Sequence, residues 1–232
     1  MPLLEDLTFE IDVEQVLRAQ GADPEIIRSR SPHLVEVAEK AFGEGYPLLE
    51  PAVLYERFET ESFKHGSLQL VRGGCLRGHL VAQHLALAEE VIAILATVGF
   101  PLEKRSIELL QTDPAAGLAL EGVGSAGVEA LANAACNYFE REALERGKRT
   151  TIPLSPGMEG WPVDQGQDEI FSLIDSKAVG VTLTPSHLML PRKSLSMVIG
   201  VGEDILTQGT TCDYCSMKDT CRYQDHYAAS LK

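Results

Sequence analysis

Long hydrophobic runs, basic stretches and aromatic side chains are all scarce in this chain of 232 residues. The longest apolar run, Val91 to Phe100, follows Glu89 and Glu90 directly and is far short of the roughly 20 residues a membrane-spanning helix needs, so no membrane span is expected. Lysine and arginine number 20 against 34 acidic residues, a formal charge of −14, and they form no stripe. A nucleic-acid partner needs a basic footprint to displace counterions from phosphates, and this balance argues against one. A positively charged protein surface suits so acidic a chain better. The N-terminus also lacks a basic stretch leading into an apolar block. Residues 1–12 hold Glu5, Asp6, Glu10 and Asp12, so no secretory signal is expected and a cytoplasmic location follows.

Cysteine is sparse too, five in all, but three of the five crowd the C-terminus. Cys212-Asp213-Tyr214-Cys215 is followed after five residues by Cys221, then by Arg222, Tyr223 and His226. Two thiols separated by two residues can face one ion from a tight turn, and a third closes a pocket for a soft cation or an iron–sulfur cluster. The surrounding Asp213, Lys218, Asp219, Arg222 and Asp225 are poor company for buried structural cysteines. An odd count in a chain without an export signal points the same way, to metal or redox chemistry rather than disulfides. The fourth ligand is assigned to His226, with Cys75, Asp225 or an exogenous group as alternatives. Residue types alone also allow zinc in a Cys₃His site. Cys75, beside the Gly73-Gly74 turn, reads as a small strand residue. Cys136 lies on an apolar helical stripe and reads as core.

Residues 11–22 predict a short amphipathic helix, and Ser31-Pro32 opens another that Gly43 and Gly45 end. From Val53 to Val71 the pattern predicts short strands, with Gly66 and Gly73-Gly74 as turns. Periodicity leaves residues 84–96 open between helix and strand. Leu102 to Thr112 has helical spacing, interrupted at Asp113-Pro114. Within 122–146, Val128, Leu131, Ala132, Ala135, Phe139 and Ala143 recur every three or four residues as one stripe. The loop from Thr150 to Gln167 mixes prolines with Gly157, Gly160 and Gly166, a composition suited to a binding loop. Residues 167–176 predict a short helix, 180–184 a strand, 185–192 a loop, and 194–201 a strand with one buried face.

These residues also carry a resemblance. Thr97-Val98-Gly99, the run Glu121 to Ala126 opening a helix, Ser155-Pro156-Gly157, Trp161-Pro162, Ile170-Phe171, Gly180 to Thr184, Met189 and Pro191 to Ser196 occur in matching order. In this the chain resembles the activation domain of vitamin B12-dependent methionine synthase from about residue 84 to 201. The resemblance implies an α+β fold with a curved, twisted antiparallel sheet flanked by helices. It also implies three parts: 1–83 as an N-terminal region of the same domain, 84–201 as the core, and 202–232 as a cysteine-rich metal-binding segment. In that family the domain binds S-adenosylmethionine and docks over the cobalamin of a partner domain, so that cobalt in the inactive Co(II) state can be reduced and remethylated. Ser155, Pro156, Gly157, Met158, Trp161, Ile199 and Gly200 are the cofactor-binding positions it implies.

This chain departs from the pattern at two places. The family's loop has an arginine four residues before the glycine and a tyrosine just after it, where this chain has Pro153 and Met158. Proline cannot grip a carboxylate as a guanidinium does, so S-adenosylmethionine is expected to bind weakly or not at all. Trp161, the single tryptophan, either packs on a flat ligand or plugs the core beneath its loop. His187 either faces a ligand or caps a strand. Lys193 is expected at the surface, with Arg192-Lys193 able to meet a corrinoid's edge. The Pro153–Pro162 loop, the Pro185–Lys193 loop and the cysteine segment are expected to form one docking face.

The function that follows is an accessory protein that docks on a corrinoid protein or a truncated methionine synthase. It would assist reductive reactivation through an iron–sulfur cluster fed by an electron donor. The alternative is a non-redox binding subunit with structural zinc. A complete methyltransferase is not expected, because 232 residues cannot also house substrate, folate and cobalamin modules.

Overall fold

The computed structural model describes residues 2–5, 7–71, 73–205 and 209–220. Three helices come first: α1 (Val13–Ala19), α2 (Pro24–Arg30) and α3 (Pro32–Gly45). Each starts where local chemistry dictates. Asp12 accepts from the backbone of Gln15, whose side chain returns to the backbone of Asp12, and Asp23 caps α2 in front of a proline at its first position. Strands β1 (Ala52–Lys64), β2 (Ser67–Leu70) and β3 (Cys75–Arg77) lead into α4 (His79–Leu85), β4 (Glu90–Thr97), α5 (Pro101–Leu110) and α6 (Pro114–Glu145). After β5 (Arg149–Thr150) and a long loop come α7 (Val163–Leu173), the small hairpin β6 (Thr182–Leu183) and β7 (Met189–Leu190), and β8 (Ser194–Gly202).

Six strands form a strongly curled antiparallel half-barrel in the order β3-β2-β1-β4-β8-β5. This is the α+β architecture expected from the sequence. The sheet crosses the 83/84 boundary, because β1 pairs with β4 along its length, from Ala52 against Thr97 to Glu59 against Glu90. One face carries Val53, Ile92, Ile94, Met197 and Ile199 against Val128, Leu131, Ala135 and Phe139 of α6. The other carries Leu54, Val91, Leu95 and Val198 against Leu80 and Leu85 of α4, Ile170 of α7 and Trp161 of the long loop. A third cluster joins α1, α3 and α5 to the first half of α6 through Val16, Ala38, Leu102, Leu120 and Val123.

Three elements differ from expectation, and a fourth, left open in the sequence, is resolved. The 53–71 region is built around one strand of 13 residues rather than short strands, because β1 spans the full curl of the sheet. Residues 84–96 divide: α4 ends at Leu85 and β4 begins at Glu90. Strand β8 is buried on both faces, not one, since helices cover both sides. Its serines are satisfied inside, Ser194 donating to Thr97 Oγ1 and Ser196 to Gln167 Oε1, both at 2.9 Å. Finally, the glycine-rich run 121–126 does not open α6 but lies well inside it. A Cβ on Gly122 would come within 2.8 Å of the Val16 carbonyl, and one on Gly124 within 2.7 Å of Leu102, so these glycines let α1 and α5 approach closely.

Candidate functional site

The loop 151–162 is pinned to the sheet at its start. Leu154 exchanges backbone hydrogen bonds with Val198, each at 2.9 Å, and Thr151 N donates to Gly200 O at 2.9 Å. It then closes on itself: Met158 N donates to Ser155 O at 3.2 Å and Gly157 N to Trp161 O at 2.8 Å. Gly157 (φ 98°) and Gly160 (φ 87°) hold left-handed backbone that side chains resist, which is how so short a stretch makes two reversals. Met158 is turned inward, with the amide of Ser155 3.4 Å from its Sδ.

Among the expected ligand positions, Ser155, Pro156 and Gly157 are half-buried on this loop, while Trp161, Ile199 and Gly200 are buried. Trp161 is 0% exposed, and its Nε1 donates to Glu169 Oε2 at 3.0 Å. Of its two readings, the geometry is that of the plug: no ring face is open to a ligand. Ile199 and Gly200 sit in mid-strand opposite Ile92 and Val91. Gly200 N donates to Thr151 Oγ1 at 2.9 Å, and a Cβ there would meet Leu85 at 2.8 Å. The polar backbone of Gly200 is therefore already engaged within the fold.

The second loop is tied down as well. His187, at φ 59°, places Nε2 3.1 Å from Asp168 Oδ1 of α7. Arg192 gives its backbone N–H and its Nε to the two oxygens of Glu103, at 2.6 and 2.8 Å. Lys193 is not on the surface as expected but half-buried, 2.8 Å from Glu121 Oε2 and 2.9 Å from Ser125 Oγ. Burial acts to raise the Glu121 pKa, but hydrogen bonds from Lys193 and Ser106 and the charges of Lys193 and Arg192 outweigh it and hold the carboxyl below its usual range. Both cations face carboxylates of α5 and α6, a commitment that the adjacent dipeptide does not reveal in sequence.

The C-terminal segment is described as far as Thr220. Cys221 and His226 lie outside the described residues, and among the described residues no three histidine, cysteine or acidic side chains gather as a metal site. Cys212 and Cys215 are free and half-buried. Cys212 lies within a 3₁₀ turn, Thr211–Tyr214, capped by reciprocal bonds between Thr210 and Asp213, and Cys215 follows it directly. Cys215 N donates to Cys212 O at 3.2 Å, and Met217 N lies 3.4 Å from Cys215 Sγ. This turn with an amide aimed at sulfur suits a thiolate ligand, whose charge needs donors.

Tyr214, between the two cysteines, anchors the segment to the body. Its carbonyl accepts from Glu159 N at 2.9 Å, and its hydroxyl accepts from Gln83 Nε2 at 3.1 Å. Its ring meets the His84 ring edge to face, with centroids 4.7 Å apart. Lys218 reaches Glu159 at 3.3 Å. The cysteine turn is thereby seated directly on the Ser155–Gly160 loop and on α4. Sequence reasoning did not single out Gln83, His84 or Glu159. The available signal was a histidine following Leu80 and Val81 at helical spacing, which marks an imidazole on a buried stripe.

A separate shallow cavity of about 380 Å³ opens between β3 and α7, lined by Gln69, Cys75, Arg77, Asp168, Glu169 and Ser172 among others. Cys75 there receives Gln69 Nε2 at 3.2 Å and Arg77 Nε at 3.3 Å, and Ser67 Oγ lies 2.8 Å away. Its sulfur is thus occupied by β2 and β3 neighbours.

No protein-family model matches the chain, and no curated protein matches it. Among solved structures, the crystal structure of the MetH reactivation domain bound to AdoHcy shares the fold, with a TM-score of 0.59 over 90% of this chain and 82% of that one. Sequence identity is 15%, so the likeness is one of architecture.

Proposed function

We propose that this chain is an accessory protein for corrinoid reactivation, docking on a separate corrinoid protein and helping to return its cobalt to the reduced state. The observation that supports this most is the seating of the Cys212–Cys215 turn on the Ser155–Gly160 loop, through Tyr214 and Glu159, in a fold like that of the MetH reactivation domain. Cys212 and Cys215, with Cys221 and His226 beyond them in sequence, would hold the cluster; when bound, it would supply one-electron reduction at low potential. The chain's own contribution is placement. Tyr214 fixes the thiol turn against the body, Glu159 joins turn and loop, and the acidic surface selects a partner of opposite charge. The Ser155–Gly157 stretch is the part of the loop that remains for ligand or partner contact. A structural zinc on the same residues is the competing reading, and Cys215 with its amide donor suits either metal.

The test is reduction of cob(II)alamin, free and protein-bound, by the anaerobically isolated and chemically reduced chain, followed by its visible spectrum. Loss of the Co(II) band with the parent protein and not with Cys215→Ser supports the proposal. Equal behaviour of the two proteins refutes it.

A further inference from the structure

Both ring nitrogens of His84 lack a hydrogen-bond partner among the described residues, although the side chain is only 1% exposed. A buried polar side chain left without a partner costs free energy and calls for a physical reason. The position supplies one. His84 lies on α4 directly against the ring of Tyr214, the residue that seats the cysteine turn, and the neighbouring Gln83 holds the same tyrosine by its hydroxyl.

We infer that His84 is a proton-operated catch for the C-terminal cysteine segment, which stays seated on α4 while the imidazole is neutral and lifts away when the ring takes up a proton. A neutral ring can lie against Tyr214 as an aromatic surface. An imidazolium has two N–H donors and a charge, and among the described residues the seat offers the ring neither an acceptor nor a counter-ion. The strands beneath α4, β2 and β3, bury Leu68, Leu70 and Leu76 in the same apolar cluster as Leu80, Val81 and Leu85 of α4. The segment and the 151–162 loop bring Tyr214, Asp213, Lys218 and Glu159 to this contact. Of these, Lys218 pairs with Glu159, and Asp213 accepts from Thr210. On α4 itself the other ionisable side chain is His79, at the opposite end of the helix. A proton on His84 is therefore hydrated only when Tyr214 leaves.

Burial lowers the His84 pKa in the seated state from its ordinary value of 6.5, so the released state binds the proton more readily. Seating is complete above that ordinary value and weakens by up to about tenfold per pH unit as pH falls from it towards the lowered one. The inference concerns the seat and not the thiols, and it stands whether or not they hold a metal.

Two measurements on the full-length protein test it. The first is amide exchange at Glu159, whose N–H is held by Tyr214, corrected for intrinsic rates at pH 7.5 and 5.5. Protection should fall by up to about tenfold for each pH unit below about 6.5 in the parent, and stay constant in His84→Phe. The second is an NMR titration of the six histidines. His84 should titrate below its ordinary value in the parent and return towards it in Tyr214→Ala, which keeps the titration informative if His84→Phe folds poorly. Unchanged protection across this range, an equal fall in His84→Phe, or a His84 titration indifferent to Tyr214→Ala would each overturn the inference. So would a His84 signal that moves on adding a metal chelator, which would make the ring a ligand.

Discussion

At the scale of single residues, Trp161 sets the clearest limit on how the loop can work. It fills the core and donates to Glu169, so Trp161→Ala should destabilise the protein by about 3–5 kcal/mol, as large aromatic truncations in cores do. Urea unfolding measures this directly. A variant as stable as the parent but unable to bind a corrinoid protein would return the ring to the docking surface. Pro153 makes the second residue-scale prediction. With no guanidinium to grip the ligand carboxylate there, adenosylmethionine or AdoHcy should bind about ten- to over a hundredfold more weakly than a site with that contact, since a hydrogen bond to a charged group contributes about 1.5–3 kcal/mol. Lys148 does not replace it readily, because it is engaged with Glu89 at 2.8 Å. Calorimetry tests this, and micromolar binding would show that another residue has taken the role.

At the scale of elements, the end of the second loop is held by charge. Glu103 and Glu121, on α5 and α6, receive Arg192 and Lys193 just before β8. Glu121 is held below its ordinary value of 4.5, so its contribution to stability is fully present above that value and lost as pH falls through the lowered one. The stability gap between the parent and Glu121→Gln, measured by urea unfolding at several pH values, should therefore be constant from pH 7 to about 5 and close on further acidification. A gap that widens in acid would contradict this reading.

The same elements show what a sequence reveals and what it hides. The stripe from Val128 to Ala143 identified the second half of α6, because one apolar face against a sheet leaves a period of three to four. Its first half was hidden: there the helix is surrounded by α1, α3 and α5, so Gly122 and Gly124 serve close packing inside it, whereas their run reads in sequence as the start of the helix. Strand β8 was found by its alternation, but its serines read as a wet face when each has a buried partner. The CxxC turn was legible from spacing alone. Its seat was not, since Gln83, His84 and Glu159 come from two distant stretches that only the fold brings together.

For the whole molecule, the curled sheet brings the 151–162 loop, α4 and the C-terminal turn to one side, while α1, α3 and α5 gather on α6. The long acidic chain is thus organised around one place where thiols, a glycine-shaped loop and a buried imidazole meet. Replacing Tyr214 with alanine should loosen that arrangement without unfolding the sheet. Limited proteolysis checks it: cleavage between Gly202 and Gly209 should accelerate while the core fragment stays resistant, whereas unchanged cleavage would mean that other contacts seat the turn.

Whether the C-terminal thiols hold an iron–sulfur cluster is tested most directly by the iron, acid-labile sulfide and zinc content of the full-length protein purified without oxygen. Iron and sulfide are expected in stoichiometric amounts, with a brown colour that Cys215→Ser abolishes. Stoichiometric zinc and no iron, persisting after anaerobic reconstitution, would contradict it.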